Sequence, residues 1–288
     1  MKILVTGGAG FIARNLKEYF EDVCKVVAPN SRELDLLVSG KVENIIKKNK
    51  FDVILHTATY DAAPQMSIKD KTKVLEYNVR MFYNIARWKD YFGKLIYFGS
   101  GAEFDRAHWK PLMNEGYFDR YVPEDQYGFS KYVMTKYALL SNNIYNLRLF
   151  GVFGKYEDWR YRFISNMCYQ ALTGNKLVVR QNAFYDFTHI DDLVKVVKWA
   201  IESDPKKKVY NVCSGKAYER IAVAKIIKKV SGKDLKIEVD DPKMGREYSG
   251  SNKLLLSEMK GFKFTPIEKT VRTLFDWYNN NQEEAFKG

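Results

Sequence analysis

The first 150 residues alternate short apolar runs with longer stretches whose apolar positions recur every three or four residues. Unbroken apolar runs read as strands buried on both faces, and the recurring pattern reads as amphipathic helices. The expected strands are Lys2–Thr6, Lys25–Ala28, Val53–Thr57, Leu95–Phe98 and Ile144–Phe150. The expected helices between them are Gly10–Phe20, Val38–Lys48, Lys73–Trp88 and Phe129–Leu140. In the second helix Val42, Ile45 and Ile46 share one face. Strands that alternate with helices predict a parallel sheet wound on both faces.

The pattern loosens after Phe150. It predicts helices at Phe163–Leu172, Asp191–Ile201, Ile221–Val230 and Pro266–Asn281, and strands at Leu177–Val179, Val209–Val212 and Lys236–Val239. No repeat or linker interrupts the chain. Residues 105–125 carry little periodicity and many aromatic and charged residues. Such a segment either covers a site or is a plain surface loop.

Composition narrows the class. The chain has 288 residues, 46% of them apolar and 28% charged, as expected of an ordinary soluble globular protein with a sizeable core. No apolar run approaches the ~20 residues of a membrane helix, and the opening stretch is too short for a signal-peptide core. The three cysteines, Cys24, Cys168 and Cys213, are far apart and form no CxxC pair. That spacing argues against disulfides or a zinc site and fits a reducing, cytoplasmic setting. The three histidines form no metal-ligand spacing, so no metal is expected. The net charge of +12 comes from lysines spread along the chain. A bland surface bias explains it best, steering of phosphate-bearing ligands is an added reading, and nucleic acid is a distant third.

The first expected strand runs into Gly7-Gly8-Ala9-Gly10-Phe11-Ile12-Ala13, a match to G-x-G-x-x-G/A. The motif carries weight because a strand precedes it and a helix follows. Gly7 and Gly8 permit the tight turn. Gly10 lets a pyrophosphate approach the backbone. Phe11 and Ile12 open the helix whose unpaired N–H groups face the anion. The fold class expected is therefore α/β: a Rossmann-type doubly wound parallel sheet with a smaller α+β C-terminal substrate domain. The expected boundaries are 1–150 and 185–212 for the dinucleotide-binding domain, and 151–184 and 213–288 for the substrate domain.

The second strand ends at Asn30-Ser31-Arg32-Glu33. A site for NAD places an acidic residue here, whereas Ser31 and Arg32, with Arg14 nearby, suit the 2′-phosphate of NADP. Glu33 in the ribose role, and with it NAD, stays open. Further on, Tyr127 and Lys131 stand four apart and share a helix face. An ammonium beside a phenol stabilises the phenolate, so Tyr127 can trade a proton with a carbonyl or alcohol oxygen. A second pair, Tyr132 and Lys136, is rotated from the first by ~140° and cannot face the same site; Tyr132 is expected to pack or face solvent. Ser100 ends the fourth strand, at the sheet edge where open α/β sheets bind ligands.

Together these residues resemble the extended short-chain dehydrogenase/reductase family, the nucleotide-sugar epimerase, dehydratase and reductase group. The resemblance spans nearly the whole chain. It implies Ser100, Tyr127 and Lys131 as the catalytic group. It places His56, Thr57, Ala58 and Asn78 beside the cofactor. Phe187-Thr188-His189-Ile190-Asp191-Asp192 and Arg148-Leu149-Phe150-Gly151-Val152-Phe153-Gly154 resemble further family segments. Arg246 resembles an arginine that contacts the nucleotide diphosphate, and Ala102 and Glu103 are expected to line the substrate. Tyr185 stands where an arginine often grips the diphosphate, and Arg180 can compensate.

Family dehydratases carry an Asp-Glu pair directly after the catalytic Ser/Thr; here Gly101 and Ala102 stand there. The fucose-synthase branch uses a cysteine at the position of Ala102. What remains is the hydride-transfer core, so the resemblance implies an NADPH-dependent ketoreductase acting on a nucleoside diphosphate sugar for surface polysaccharide precursors, with a homodimer as the expected assembly. An NAD-retaining epimerase and a non-catalytic redox-sensing regulator are the alternatives. His108 and His189 are expected to be solvated and structural, respectively.

Overall fold

A computed structural model describes residues 1–61 and 69–286. The chain divides into two compact units. The first comprises Met1–His108, Asn114–Leu149 and Val194–Asn211; the second comprises Trp109–Met113, Phe150–Leu193 and Val212–Gly288.

The first unit begins β1 (Lys2–Thr6), α1 (Phe11–Phe20), β2 (Lys25–Val27), α2 (Ser39–Asn49) and β3 (Val53–His56). It continues through α3 (Val74–Ala86), β4 (Lys94–Ser100), α4 (Gln126–Leu139) and β5 (Ile144–Leu149). Then follow β6 (Gly151–Phe153), α5 (Phe163–Leu172), β7 (Leu177–Gln181), β8 (Phe184–His189), α6 (Ile190–Glu202) and β9 (Val209–Val212). The chain closes with β10 (Ala217–Glu219), α7 (Arg220–Ser231), β11 (Ile237–Asp241), α8 (Lys253–Glu258), α9 (Ile267–Asn280) and α10 (Gln282–Ala285). Among the described residues no helix is long and apolar enough to cross a membrane.

A six-stranded sheet of order β2-β1-β3-β4-β5-β9 forms the centre of the first unit. β1 pairs in parallel with both β2 and β3, and β3–β4 and β4–β5 are parallel too. Residues of both parities are buried in β1, β3 and β5, because helices cover both faces. The strand order reverses between β1 and β3. That reversal opens a crevice at the carboxyl ends of the strands, the usual ligand site of open α/β sheets.

The second unit contains a three-stranded sheet, β10-β8-β6, and a two-stranded pair, β11-β7. Ile164, Met167, Leu177, Val179, Val223, Ile227, Val271 and Leu274 make its core. The periodicity missed β6 and β10, each of three residues and too short to show alternation, and also the six-residue β8 that pairs with both. Two boundaries differ from expectation. Residues 185–193 fall in the second unit because β8 pairs with β6 and β10. Residues 109–113 also join it, through the bridge of Met113 to Gly250.

Candidate active site

The glycine turn is shaped by close approach. Gly7 has φ +68°, and a Cβ there would stand 3.1 Å from the Ala58 Cα. A Cβ on Gly8 would meet the Ala28 carbonyl oxygen at 2.0 Å. Gly10 is the N-cap of α1 and offers no side-chain acceptor, so the helix's first N–H groups stay open to an anion. Ala13 is fully buried and lets α1 lie close on the sheet. These features fit the pyrophosphate of a dinucleotide, with Gly7, Gly10, Phe11 and Ile12 around it.

Thr6 ties the two strand ends at the reversal. Its Oγ1 lies 2.9 Å from His56 Nδ1 and accepts from the Ala58 N–H at 3.3 Å. The Thr57 hydroxyl donates to the Thr6 carbonyl oxygen at 2.6 Å. Burial, and secondarily the charge of Lys131, pulls the His56 pKa down to about 3. A neutral imidazole accepting from Thr6 at Nδ1 satisfies this network. Asn78 is buried and holds Tyr60 from both sides, accepting from its N–H at 2.7 Å and donating to its carbonyl at 3.0 Å. Asn78 thus fixes the loop after β3.

Beyond β2, the Glu33 carboxylate accepts from the Asn30 N–H at 2.8 Å, while Asn30 Oδ1 accepts from the N–H groups of Arg32 and Glu33. Glu33 is engaged within its own turn, and Ser31 and Arg32 are exposed at its tip. Arg14 lines a shallow depression of about 510 Å³ with Gly8, Ala9, Lys17, Glu18 and Glu21.

Helix α4 begins at Gln126, three residues earlier than its periodicity predicts, because the Asp125 carboxylate accepts from the Gly128 N–H at 2.9 Å. A Cβ on Gly128 would meet the Ala102 carbonyl oxygen at 2.7 Å, so the first helical turn lies directly on the turn after β4. Tyr127, half-buried, is thereby brought beside that turn. One helical turn on, buried Lys131 donates from Nζ to the Phe98 carbonyl oxygen at 2.8 Å, and its Nζ is 5.8 Å from the Tyr127 ring centroid. Burial lowers the Lys131 pKa to about 8, against the charges of Glu103 and Asp61, which favour the ammonium. Ser100 Oγ accepts from the Ala102 N–H at 3.2 Å and keeps its own proton to donate. Ser100 and Lys131 are thus both tied to β4 or to the turn that follows it, and the Tyr127 ring stands beside the Lys131 ammonium.

The second pair lies elsewhere. The Tyr132 hydroxyl and Lys136 Nζ both end on Asp119, and that contact raises the Tyr132 pKa to about 12. His108 is 45% exposed at its side chain, bonded to Asp105 and stacked on Tyr121 at 3.7 Å. His189 is buried beside the Asp191 N–H.

Two expected substrate residues are corrected. Ala102 is 1% exposed and Glu103 is 0% exposed, so neither offers a surface to a ligand. The Glu103 carboxylate turns inward. It accepts from the Ser100 N–H at 3.0 Å, the Thr135 hydroxyl at 2.8 Å and Arg148 Nε at 2.8 Å. A single-residue step along a tight turn reverses the side chain, and the buried Arg148 supplies the counter-charge.

In the second unit Arg180 is exposed on β7 and Arg246 is exposed after β11. The turn at Asn182-Ala183 accepts from the Gly245 N–H at 2.7 Å and the Arg220 N–H at 3.1 Å. The Arg220 guanidinium carbon lies 4.1 Å from the Tyr185 ring centroid. A cation therefore stands over the position where an arginine was expected. The sequence reading did not single out Arg220, whose place over Tyr185 follows from the pairing of β10 with β8.

An uncapped glycine turn beside a helix that carries a Tyr–Lys pair is the working part of the short-chain dehydrogenase/reductases, nicotinamide-dependent oxidoreductases, and this chain is one of them. The model of the NAD dependent epimerase/dehydratase family matches residues 3–213, and the chain belongs to that family. It is 25% identical over 267 residues to the ADP-L-glycero-D-manno-heptose-6-epimerase of Brachyspira hyodysenteriae, covering 79% of this chain and 80% of that one. In fold it is similar to a GDP-L-fucose synthetase from Naegleria fowleri bound to NADP, with TM-score 0.86, 19% identity and coverage of 99% and 95%. It is also similar to the GDP-mannoheptose C4 reductase of Campylobacter jejuni with NADP bound, with TM-score 0.83, 18% identity and coverage of 96% and 98%.

Proposed function

We propose that the chain reduces a ketone on a nucleoside-diphosphate-linked sugar with NADPH. One observation carries the reading. Lys131 is bonded to the strand that ends in Ser100 and has the Tyr127 ring beside its ammonium, while Gly101 and Ala102 bring no acid or base to the turn. The group suits hydride chemistry, and elimination of water has no evident catalyst there. The exposed Arg32 and the engaged Glu33 favour the 2′-phosphate of NADPH.

When bound, the nicotinamide supplies the hydride to the carbonyl carbon. Gly7, Gly10 and the opening of α1 hold the pyrophosphate. Ser100 donates to the carbonyl oxygen and orients it. Tyr127 gives that oxygen its proton as the charge develops. Lys131 holds the nicotinamide ribose and stabilises the phenolate that Tyr127 becomes. Arg180, Arg246 and Arg220 are the groups of the second unit suited to a diphosphate. The names of the two structural relatives, one of them a C4 reductase, support the substrate class. A homodimer is part of the reading.

The test follows NADPH absorbance with CDP-, GDP-, UDP- and dTDP-linked keto sugars. Consumption with one nucleotide class supports a reductase and identifies its handle. The name of the Brachyspira relative favours a second reading, epimerisation. It predicts cofactor retained through purification and isomerised sugar without net NADPH loss.

A further inference from the structure

Glu103 sits at the centre of a network that an apolar side chain could replace sterically. A buried carboxylate must be desolvated, and an ion pair seldom returns more than that cost. Among the described residues Arg148 Nη2 finds no hydrogen-bond partner, so the pair is not tuned for stability alone. What the carboxylate does is reach three elements at once. Oε1 accepts from the backbone N–H of Ser100 at 3.0 Å. Oε2 accepts from Thr135, one turn beyond Lys131 on α4, at 2.8 Å. It also accepts from Arg148 on β5 at 2.8 Å. Asn146 of β5 donates to the same carboxylate at 3.2 Å and accepts from the Gly99 N–H at 3.0 Å. Gly99 belongs to the device, because a Cβ there would lie 2.2 Å from Glu103 Oε1.

We propose that Glu103 is a positioning residue for the reduction: one buried carboxylate sets the strand end that presents Ser100 against the helix that presents Tyr127 and Lys131. The inference rests on the proposed reductase reading. The carboxylate also acts through charge. Lys131 faces Glu103 and Asp61, which favour its ammonium, together with the neutral His56 of β3 and the Tyr127 ring on its own helix. Loss of the Glu103 charge makes that ammonium easier to deprotonate.

Glu103→Gln keeps the shape and an acceptor oxygen but removes the charge. The expected result is a folded protein whose kcat for NADPH-dependent keto-sugar reduction falls on the order of tenfold to hundredfold, with the KM for NADPH unchanged. In 13C-lysine NMR, the Lys131 Cε signal, identified by its loss in Lys131→Arg, should titrate below the wild-type value of about 8. A folded Glu103→Gln with wild-type kcat and an unmoved Lys131 titration overturns the proposal. Should Glu103→Gln fail to fold, the double variant Glu103→Leu/Arg148→Met carries the same test, since an apolar pair can fill the site. Low kcat in that stable variant upholds the positioning role, and wild-type kcat overturns it. Should the wild-type protein reduce no keto sugar, the reductase reading fails by itself. The Lys131 titration then separates the two: a shift leaves the Glu103–Lys131 coupling standing while the reductase reading alone falls, and an unmoved curve overturns the coupling as well.

Discussion

Lys131 Nζ donates to the carbonyl oxygen of Phe98 at 2.8 Å, two residues before Ser100 on the same strand. The ammonium is thus fixed to the strand that presents the serine, and its charge state follows its burial. Burial lowers its pKa to about 8, with Glu103 and Asp61 opposing. Below that pH the ammonium is present; above it the charge is lost. kcat for the reduction should therefore decline as pH rises through about 8. Lys131→Met should be slow at every pH, by on the order of a hundredfold. A kcat–pH profile of both proteins checks this. A wild-type profile flat from pH 7 to about 9.5 would remove Lys131 from the proton chemistry.

The two Tyr–Lys pairs on α4 provide an internal control. Tyr127 lies beside the turn after β4, whereas Tyr132 and Lys136 share Asp119. Tyr127→Phe should cut turnover by roughly 10²- to 10⁴-fold with little change in folding. Tyr132→Phe should leave turnover intact and cost about 1 kcal/mol of stability through its lost hydrogen bond. Initial rates and urea unfolding of the two variants separate the roles. Equal rates for both would place the phenol chemistry elsewhere.

At the tip after β2, Asn30 and Glu33 bond each other and leave Arg32 exposed. If Arg32 meets the 2′-phosphate, Arg32→Ala removes a charge-assisted contact of about 1.5–3 kcal/mol. The KM for NADPH should rise roughly 10- to 100-fold, and the KM for NADH should stay put. A parallel rise for both cofactors would show that Arg32 does not read the phosphate.

Much of this was legible in the sequence because its causes are local. The turn at Gly7–Gly10 needs residues without a Cβ, and the strand-to-helix context announces it. Tyr127 and Lys131 are linked by helical spacing alone. Glu103 was misread because its role depends on Arg148, 45 residues away, reached only after the sheet assembles. The turn of Glu103 back to the Ser100 N–H was local and readable as a Ser-x-x-Glu capping box; the partner Arg148 was not. Arg220 escaped for the same reason: its place over Tyr185 follows from the pairing of β10 with β8. The three-residue strands β6 and β10 take their form from partners and carry too few positions for a period.

The core of the second unit holds its own titrating group. The Glu157 carboxylate is 9% exposed and accepts from the Ser165 hydroxyl at 2.6 Å. Burial raises its pKa to about 7, with Arg162 and the Ser165 bond pulling the other way. The folded pKa exceeds the unfolded one, so the unfolded chain releases this proton first. Stability from Glu157 is complete below pH about 4.5 and is lost as pH rises through about 7. The loss is on the order of 3 kcal/mol. Asp186, raised to about 6 by burial, acts with the same sign in the same unit. His56, in the other unit, acts oppositely and weakens the fold as pH falls below about 6.5. A bare pH–stability curve mixes these groups, so the comparison must be by variant. Glu157→Gln stays neutral throughout and keeps an acceptor for Ser165. It should match the wild type near pH 5 and exceed it near pH 8, by roughly 1–3 kcal/mol. Urea unfolding of both proteins at the two pH values measures the difference. Parallel shifts at both would mean that Glu157 is already ionised in the native core.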